Sequence, residues 1–501
     1  MIAIAMALLA SLLFTAHAPA RPFQTGLQDL TAYDSGDALP FQRTKAAGAK
    51  YLRITLYWPR IAPQSRPNPG PLDPAWDPTD PGSPYYVGWG FYDQQIRQAS
   101  AQGLTVILDV SQTPSWAAAP GCSGQAICTP VPADYTAFAT AVARRYSGNF
   151  NPGSGTLPRV RYYQAENEPN LNFFYKPVFQ NGHPVSPDTY RVLLNGFYDA
   201  VHGVDNSNQV LSAGLAPLAR PGATIGPLDF MRRLLCMTGR KRPHAKPGCK
   251  QKAKLDIWTT HPYTTGGPTH TAPGPDDVSL GDLPQMTALL RAADRAGKIQ
   301  NASKKTPFWV TEISWDSKPP DNGGLPLAIH ARWLAESFYR MYKAGVSVAV
   351  WFELRDEAKG SRPDSELYQS GLYFRAANIE DDKPKPALEA FRFPFVALKT
   401  KTGFLFWGRT PTSRSASVRI ELKGPKGGYR KVKVAKAKGT GIFQGTVKTS
   451  TTKGFVRAKV ATGLSVGTET SVPFSLKYVK DFYQPPFGGK RTAGRLTPRR
   501  H

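Results

Sequence analysis

Short apolar runs alternate with longer amphipathic segments over residues 23–394 of the chain. Several of the runs have almost unbroken apolar centres, as expected for parallel strands that are buried on both faces. The segments between them carry apolar residues at helical spacing. We predict eight strands, at 22–29, 51–58, 104–110, 160–166, 209–216, 255–263, 307–315 and 346–354. Eight strand–helix units in one domain of this length predict a (β/α)8 barrel, an α/β fold, over residues 21–394.

The pattern changes after residue 394, where helical periodicity disappears. Segments such as SVRIEL, KVKVAK and FVRAKV alternate apolar with polar residues and are separated by Gly, Ser, Thr and Lys. This alternation predicts a small antiparallel β-sandwich at 395–482. Residues 483–501 are rich in Pro, Gly and Arg, and we expect this tail to be disordered. Residues 1–20 are apolar and end in A-x-A patterns, which predicts a cleaved secretory signal peptide and a secreted protein.

The four cysteines can pair in three ways. Two local bridges, Cys122 with Cys128 and Cys236 with Cys249, are the simplest interpretation, and they would suit an oxidising compartment. A metal site is disfavoured because the chain has no CxxC spacing.

Positive charge is concentrated at the C-terminal end of the chain. Residues 395–501 hold 23 Lys or Arg and 3 Asp or Glu, which is +20 of the formal net charge of +27. This region could hold the protein near an anionic polymer such as an acidic cell-envelope glycan. The alternative is a solvated surface that only maintains solubility. No nucleic-acid-binding motif is visible, so we expect no nucleic-acid partner, and we expect a monomer.

Acidic residues follow two of the predicted strands. Glu168 comes after the fourth strand and Glu312 after the seventh. Reactive groups of a (β/α)8 barrel gather at the carboxyl ends of its strands, so both side chains are expected at the mouth of the barrel. Two carboxyl groups facing each other suit cleavage of a glycosidic bond. One protonates the leaving oxygen, and the other attacks the anomeric carbon or positions a water.

Two motifs resemble signatures of a known clan. NEPNL at 167–171 and WVTEISW at 309–315 resemble the strand-four and strand-seven signatures of the (β/α)8 retaining glycoside hydrolases, which include the cellulase-like family 5 and the xylosidase-like family 39. HPY at 261–263 and Trp351 resemble supporting residues of the clan. The resemblance covers about residues 23–394. It implies that Glu168 is the general acid/base, that Glu312 is the nucleophile, and that no cofactor is needed.

The resemblance also implies roles for neighbouring side chains. Asn167 would bond the sugar 2-hydroxyl. Tyr263 would donate to Glu312, and Arg53 would lie close to Glu312 and keep it charged. Trp351 would form the floor of the sugar subsite, with a cis peptide to the next residue.

Other candidates stand apart from these motifs. His261 could contact the sugar, and Trp116 could stack on a sugar ring or roof the barrel. Strand alternation would put Glu166 on the same face as Glu168. We interpret Glu166 as a buried ion-paired residue, with Arg53 as the candidate partner, rather than as a rival acid. The acidic loop at 353–357 is interpreted as solvated rather than as a calcium site.

The charge of Glu312 should raise the pKa of Glu168 and hold that carboxyl protonated near neutrality. These patterns together predict a secreted retaining glycoside hydrolase that acts on an oligo- or polysaccharide. Two alternatives remain open: a glycan-binding barrel without catalysis, and a transglycosylase that uses the same two glutamates.

Overall fold

The structure is a computed structural model. It describes residues 21–68, 76–122, 125–264, 266–301, 303–359, 367–451, 453–461 and 467–477. The predicted signal peptide at 1–20 and the predicted tail at 483–501 lie outside the described residues. Within the described ranges, every helix is too short or too polar to cross a bilayer.

Eight parallel strands form the first domain, which confirms the predicted barrel. Neighbouring strands pair in sequence order, and the eighth strand pairs with the first. A bridge between Leu211 and Ile257 closes the remaining gap between the fifth and sixth strands. The strands are β1 Gln24–Gln28, β2 Tyr51–Tyr57, β3 Thr105–Ser111, β4 Tyr162–Ala165, β5 Gln209–Leu211, β6 Trp258–Thr260, β7 Phe308–Val310 and β8 Val348–Phe352.

Helices connect the strands and cover the outside of the barrel with their apolar faces. Several of them carry proline in the first turn, where the missing N–H has no partner in the helix. The helix Leu327–Ala344 ends at Gly345, whose left-handed φ of 100° terminates it. The helices are α1 Ala38–Ala46, α2 Trp89–Ala101, α3 Pro132–Arg145, α4 Ser186–Val204, α5 Pro227–Leu234, α6 Leu283–Arg295, α7 Leu327–Ala344 and α8 Pro386–Arg392.

The barrel interior has an apolar lower layer and a polar upper layer. The lower layer is a separate buried cluster that includes Tyr51, Ile107 and Trp309. Two residues further along β2 and β3, the same face carries Arg53 and Asp109, which are almost completely buried. The side chains that point into the barrel near its carboxyl end are therefore polar, and this layer supports the candidate site.

The second domain is an antiparallel β-sandwich, as predicted. One sheet has the order β9–β10–β13, and the other has the order β12–β11–β14–β15, with β16 paired to β14. Their apolar residues alternate with polar ones because each sheet buries one face. The strands are β9 Phe395–Thr400, β10 Gly403–Arg409, β11 Ala416–Lys423, β12 Arg430–Ala437, β13 Ile442–Lys448, β14 Phe455–Ala461, β15 Thr468–Thr470 and β16 Phe474–Ser475.

The sandwich is attached near the amino end of β1 and along α7. The ring of Trp407 packs against Tyr342 on α7, with 5.4 Å between centroids. Arg409 donates a buried hydrogen bond of 3.0 Å to the hydroxyl of Thr25, close to the start of β1. This contact lies at the opposite end of the strand from Gln28, which faces the polar layer. The sandwich therefore braces the barrel away from its mouth.

Both predicted disulfides are present. Cys122 is bonded to Cys128 in the loop after β3, and Cys236 is bonded to Cys249 in the segment between α5 and β6. Each disulfide closes a short loop that has little regular secondary structure. The described part of the chain holds no free cysteine.

Candidate active site

The loop that follows β4 turns sharply at two glutamates. The strand ends at Ala165, and Glu166 and Glu168 then take left-handed φ values of 65° and 44°. Such values are uncommon for residues with a side chain, and they persist where the surroundings fix them. Asn170 helps to hold this loop in place, because its side-chain amide donates to the carbonyls of Ala216 and Ile225, at 2.9 Å each.

Glu168 is held by groups from β5 and β6. Its N–H donates to the carbonyl of Gly214 at 3.0 Å, and its Oε1 is hydrogen-bonded to Nδ1 of His261 at 2.8 Å. A Cβ on Gly214 would stand 1.9 Å from Nε2 of His261, so only glycine leaves room for the imidazole. The other ring nitrogen of His261 is hydrogen-bonded to the hydroxyl of Thr311 at 3.0 Å. The predicted sugar contact of His261 is replaced by this arrangement, because the ring is fully buried and both of its nitrogens have protein partners.

Arg53 is the centre of the polar layer. It is 1% exposed and forms ion pairs with Asp109 at 2.9 Å and with Glu312 at 3.2 Å. Its Nη2 also donates to Oδ1 of Asn167 at 2.8 Å. Gln28 and Gln164 accept further hydrogen bonds from the guanidinium. Only the forked geometry of arginine can serve so many acceptors at once.

Glu312 faces Glu168 across the mouth of the barrel. Tyr263 donates to Oε1 of Glu312 at 2.7 Å, and Arg53 contacts Oε2. Nδ1 of His261 lies 2.8 Å from Oε1 of Glu168 and 4.0 Å from Oε2 of Glu312. These two carboxylate oxygens therefore cannot be farther apart than the sum of those distances, 6.8 Å. The predicted contacts of Tyr263 and Arg53 with Glu312 are both confirmed.

The two glutamates differ in their surroundings. Burial raises the pKa of Glu168 to about 8, and the charge of Arg53 opposes that rise. The predicted cause was therefore wrong: removal from water, rather than the charge of Glu312, raises this pKa. Burial also lowers the pKa of His261 to about 4, so its imidazole is neutral near pH 7. Glu168 thus has a neutral partner, whereas Glu312 has a cation.

The prediction for Glu166 was wrong in two respects. Its side chain is not ion-paired with Arg53, whose two carboxylate partners are Asp109 and Glu312. Strand alternation does not apply to it either, because β4 has already ended. The carboxyl is buried with Oε1 unpaired among the described residues, and burial followed by the charge of Asp109 raises its pKa to about 8.

The prediction for Trp351 was also wrong. Its neighbours Val348 and Val350 point into the barrel, so Trp351 points outward, where its ring lies 5.7 Å from that of His330 on α7. It is completely buried and donates to the carbonyl of Ser370 at 2.9 Å. It therefore cannot form the floor of a sugar subsite. The cis peptide bond follows the next residue, between Phe352 and Glu353, rather than preceding it.

The acidic loop after β8 is buried rather than solvated. Glu353 is 1% exposed, and Asp356 forms an ion pair of 2.5 Å with Lys385. Arg355 pairs with Asp382 at 2.7 Å. Within the described ranges, no three His, Cys, Asp or Glu side chains are grouped as a metal ion would require.

Trp116 lies at the rim, within an aromatic cluster. Its indole N–H donates to the carbonyl of Pro63 at 2.8 Å, and its ring meets Trp58 edge-on at 5.7 Å. It remains partly exposed. Stacking on a sugar ring stays a prediction.

Two residues near the site were missed in the sequence. Tyr368 packs edge-on against Phe352, with centroids 4.9 Å apart. Burial raises its pKa, and the charges of Glu312 and Glu168 raise it further, which places this phenol beside both carboxyl groups. Gly214 is the second, and nothing in the pattern around it distinguishes it from other loop glycines.

The chain is similar in structure to two solved proteins that are named as a glycoside hydrolase and a glucosidase. A family 39 glycoside hydrolase from the gut symbiont Bacteroides cellulosilyticus WH2 has 17% identity and a TM-score of 0.50, with 86% of this chain and 80% of that chain covered. A glucosidase from Croceicoccus marinus has 15% identity and a TM-score of 0.47, with 83% and 80% covered. At these identities the similarity supports the fold, which is that of the predicted clan. No protein-family profile and no curated protein matches the sequence significantly.

Proposed function

We propose that this protein is a retaining glycoside hydrolase in which Glu312 is the nucleophile and Glu168 is the general acid/base. The carboxyl groups of retaining enzymes stand about 5–5.5 Å apart, and those of inverting enzymes about 6.5–9.5 Å apart. The upper limit of 6.8 Å between Oε1 of Glu168 and Oε2 of Glu312 allows the retaining separation and lies close to the lower end of the inverting range, which supports a retaining mechanism. This separation is the observation that carries the proposal.

In the first step, an oxygen of Glu312 attacks the anomeric carbon while the bond to the leaving oxygen breaks. Glu168 gives its proton to that oxygen, so the leaving group departs as a neutral alcohol. A pKa of about 8 keeps this proton on Glu168 at neutral pH. Tyr263 and Arg53 orient the attacking carboxylate of Glu312.

In the second step, water attacks the anomeric carbon of the glycosyl-enzyme. Glu168 accepts a proton from that water, and the ester bond to Glu312 breaks. Since Oδ1 of Asn167 is occupied by Arg53, its NH₂ group is the one that remains for a sugar hydroxyl. A hydrogen bond to the 2-hydroxyl that strengthens in the transition state would lower the barrier of both steps.

The substrate that we propose is an oligo- or polysaccharide outside the cell. The two disulfides suit an oxidising compartment, and the segment at 1–20 would direct export. The scissile bond is β-linked or has the equivalent configuration.

Covalent labelling tests the assignment of the nucleophile. A panel of aryl glycosides first identifies an active sugar, and the matching 2-deoxy-2-fluoro glycoside is then used to trap the enzyme. We expect mass spectrometry to find the label on Glu312. E312Q should lose at least about 10³-fold in kcat, because no covalent intermediate can form.

A second variant distinguishes the two roles. E168A should be slow with poor leaving groups and regain activity with azide, which needs no general base. A label on another residue, or an E312Q variant with nearly full activity, would refute the proposal.

A further inference from the structure

One face of the second domain is crowded with cations. The outer surface of the sheet β12–β11–β14 is termed the cationic face. Strand alternation and the register place its charged side chains on the side opposite to the buried residues Val418, Ile420 and Ala458. These charged side chains are Arg419, Glu421 and Lys423 on β11, Lys431 and Lys436 on β12, and Arg457 and Lys459 on β14.

The register explains why even the edge strand contributes two lysines. A bulge between Ile420 and Glu421 changes the pairing, so Lys431 stands opposite Glu421 although Lys433 stands opposite the buried Ile420. The bulge shifts the alternation by one residue. Lys431 and Lys436 therefore share the outer surface despite their odd spacing.

Among the described residues, a single carboxylate, Glu421, lies on this face with the cations. Glu421 accepts from Arg457 at 2.8 Å and lies 3.8 Å from Arg419 and 3.9 Å from Lys459. Three cations thus share one acid, and the face as a whole has six cations against one carboxylate. Most of its positive charge is left without compensation inside the face.

Two of these cations are placed against each other. Arg419 and Lys459 are direct cross-strand partners in the register of β11 and β14. Like charges directly opposite each other destabilise a sheet. A surface that served solubility alone would intersperse charges of both signs. Glu421 compensates part of this repulsion, and an anion above the face would compensate the rest.

Apolar and aromatic groups lie among the cations. Arg457 stacks on the ring of Tyr429 at 3.7 Å, and Phe455 and Val434 are 46% and 53% exposed. A groove of about 710 Å³ beside them is lined by residues 424–430 and Thr451. Aromatic surface next to cations suits a polymer that has flat ring faces as well as negative charges.

We propose that the cationic face binds an acidic polysaccharide, and this partner rests on the proposed glycosidase function of the barrel. The sandwich meets the barrel through β10 and α7, near the amino end of β1. The cationic face is thus separate from the mouth that holds Glu168 and Glu312. Binding there would hold the enzyme on an anionic polymer and leave the mouth open to a sugar chain.

Neutralisation of the opposed pair tests the proposal in the full-length protein. Affinity electrophoresis and co-sedimentation would compare polygalacturonate, a neutral β-glucan and double-stranded DNA at about 150 mM NaCl. We expect R419Q/K459Q to bind polygalacturonate at least about tenfold more weakly than the wild type, with a salt dependence reduced by about one to two charges. The neutral glucan should be unaffected by these substitutions.

The matched control removes two charges elsewhere. Lys241 and Lys250 are exposed in the basic segment between α5 and β6, and K241Q/K250Q changes the net charge by the same amount. Its affinity for polygalacturonate should stay within about twofold of the wild type. If K241Q/K250Q lost as much affinity as R419Q/K459Q, the loss would depend on net charge alone, and the proposal would be overturned. Tighter binding of DNA than of polygalacturonate would also overturn it, as would no binding of polygalacturonate at all.

The catalytic and binding results are independent. Hydrolysis of a small aryl glycoside should be the same in R419Q/K459Q, K241Q/K250Q and the wild type, because neither pair lies near the mouth. Thermal unfolding checks the fold, and R419Q/K459Q should unfold near the wild-type temperature, since the repulsion between Arg419 and Lys459 and their contacts with Glu421 are removed together. If the enzyme hydrolyses a glycoside but does not bind polygalacturonate, only the proposal that the cationic face binds an acidic polysaccharide is refuted. A protein that binds without hydrolysing any glycoside would refute the proposed function alone.

Discussion

Replacement of Glu166 by glutamine should stabilise the protein in a pH-dependent way. Its carboxyl is 3% exposed and has one oxygen without a partner among the described residues, and burial raises its pKa from 4.5 to about 8. The folded state therefore keeps a proton that the unfolded chain releases between pH 4.5 and 8. A raised carboxyl pKa means that stability is lost as the pH rises through this window.

The magnitude follows from the two pKa values. Each pH unit inside the window removes about 1.4 kcal/mol from the free energy of unfolding of the wild type. Glutamine resembles the protonated carboxyl in shape and does not titrate. The free energy of unfolding of E166Q therefore does not decrease through this group as the pH rises. The two proteins should be equally stable near pH 4.5 and should differ by about 5 kcal/mol above pH 8. Glu168 contributes equally to both and cancels in the difference.

Urea unfolding followed by tryptophan fluorescence is a suitable assay, because nine of the ten tryptophans lie in residues 1–394. Free energies of unfolding would be measured at pH 5, 6, 7 and 8. A difference that does not grow with pH would show that Glu166 is charged and paired in the folded state, and would refute the reasoning. E166Q should also keep kcat within about threefold of the wild type, whereas a rival general acid at this position would lose far more.

Other perturbations test the remaining parts of the site and fold. The pH profile of kcat/KM should fall above pH 8, because burial raises the pKa of Glu168 to about 8 and the ionised form has no proton to give; a flat profile to pH 10 would contradict this. R53M should lower the free energy of unfolding by about 3–5 kcal/mol, since it leaves buried carboxylates unpaired, and R53K should be intermediate in urea titrations. Y263F should lower kcat/KM about tenfold or more with an unchanged melting temperature; an equal loss of both would indicate a structural role. C236S/C249S should lower the free energy of unfolding by about 2–4 kcal/mol, and reductant should destabilise the wild type more than the variant, because the variant keeps only the Cys122–Cys128 bridge.

The barrel could be predicted because burial on both faces leaves a strong local signal. All eight predicted runs overlap an observed strand. Seven of the observed strands are shorter than predicted, such as Trp258–Thr260 within the run at 255–263, whereas β3 has the predicted length and is shifted by one residue. His261 and Tyr263, at the carboxyl end of the run at 255–263, lie beyond β6 and contact the two glutamates. Hydrophobicity thus predicts where strands lie, whereas strand ends depend on contacts made across the barrel.

Errors at the site arose where a residue's direction depends on tertiary structure. Trp351 points outward because β8 places Val350 inside, and a shift of one residue reverses a side chain's face. Glu166 escapes alternation because its φ of 65° ends the strand. The importance of Gly214 appears only when His261, distant in the sequence, is beside it. The contacts of Arg53 and Tyr263 with Glu312 could be predicted because the resemblance to the clan implied them.

The roles that we propose for the two glutamates follow from their partners rather than from their chemistry. Both are carboxyl groups at the same mouth, but Glu168 is buried against His261, whose lowered pKa makes it a neutral neighbour. A carboxyl in that environment keeps its proton and can donate it. Glu312 is partly exposed, accepts from Tyr263 and is paired with Arg53, an arrangement that favours a charged nucleophile. If the two roles were exchanged, a positive charge would have to lie beside Glu168 and none beside Glu312. The assignment therefore follows from the same contacts that hold the mouth of the barrel together.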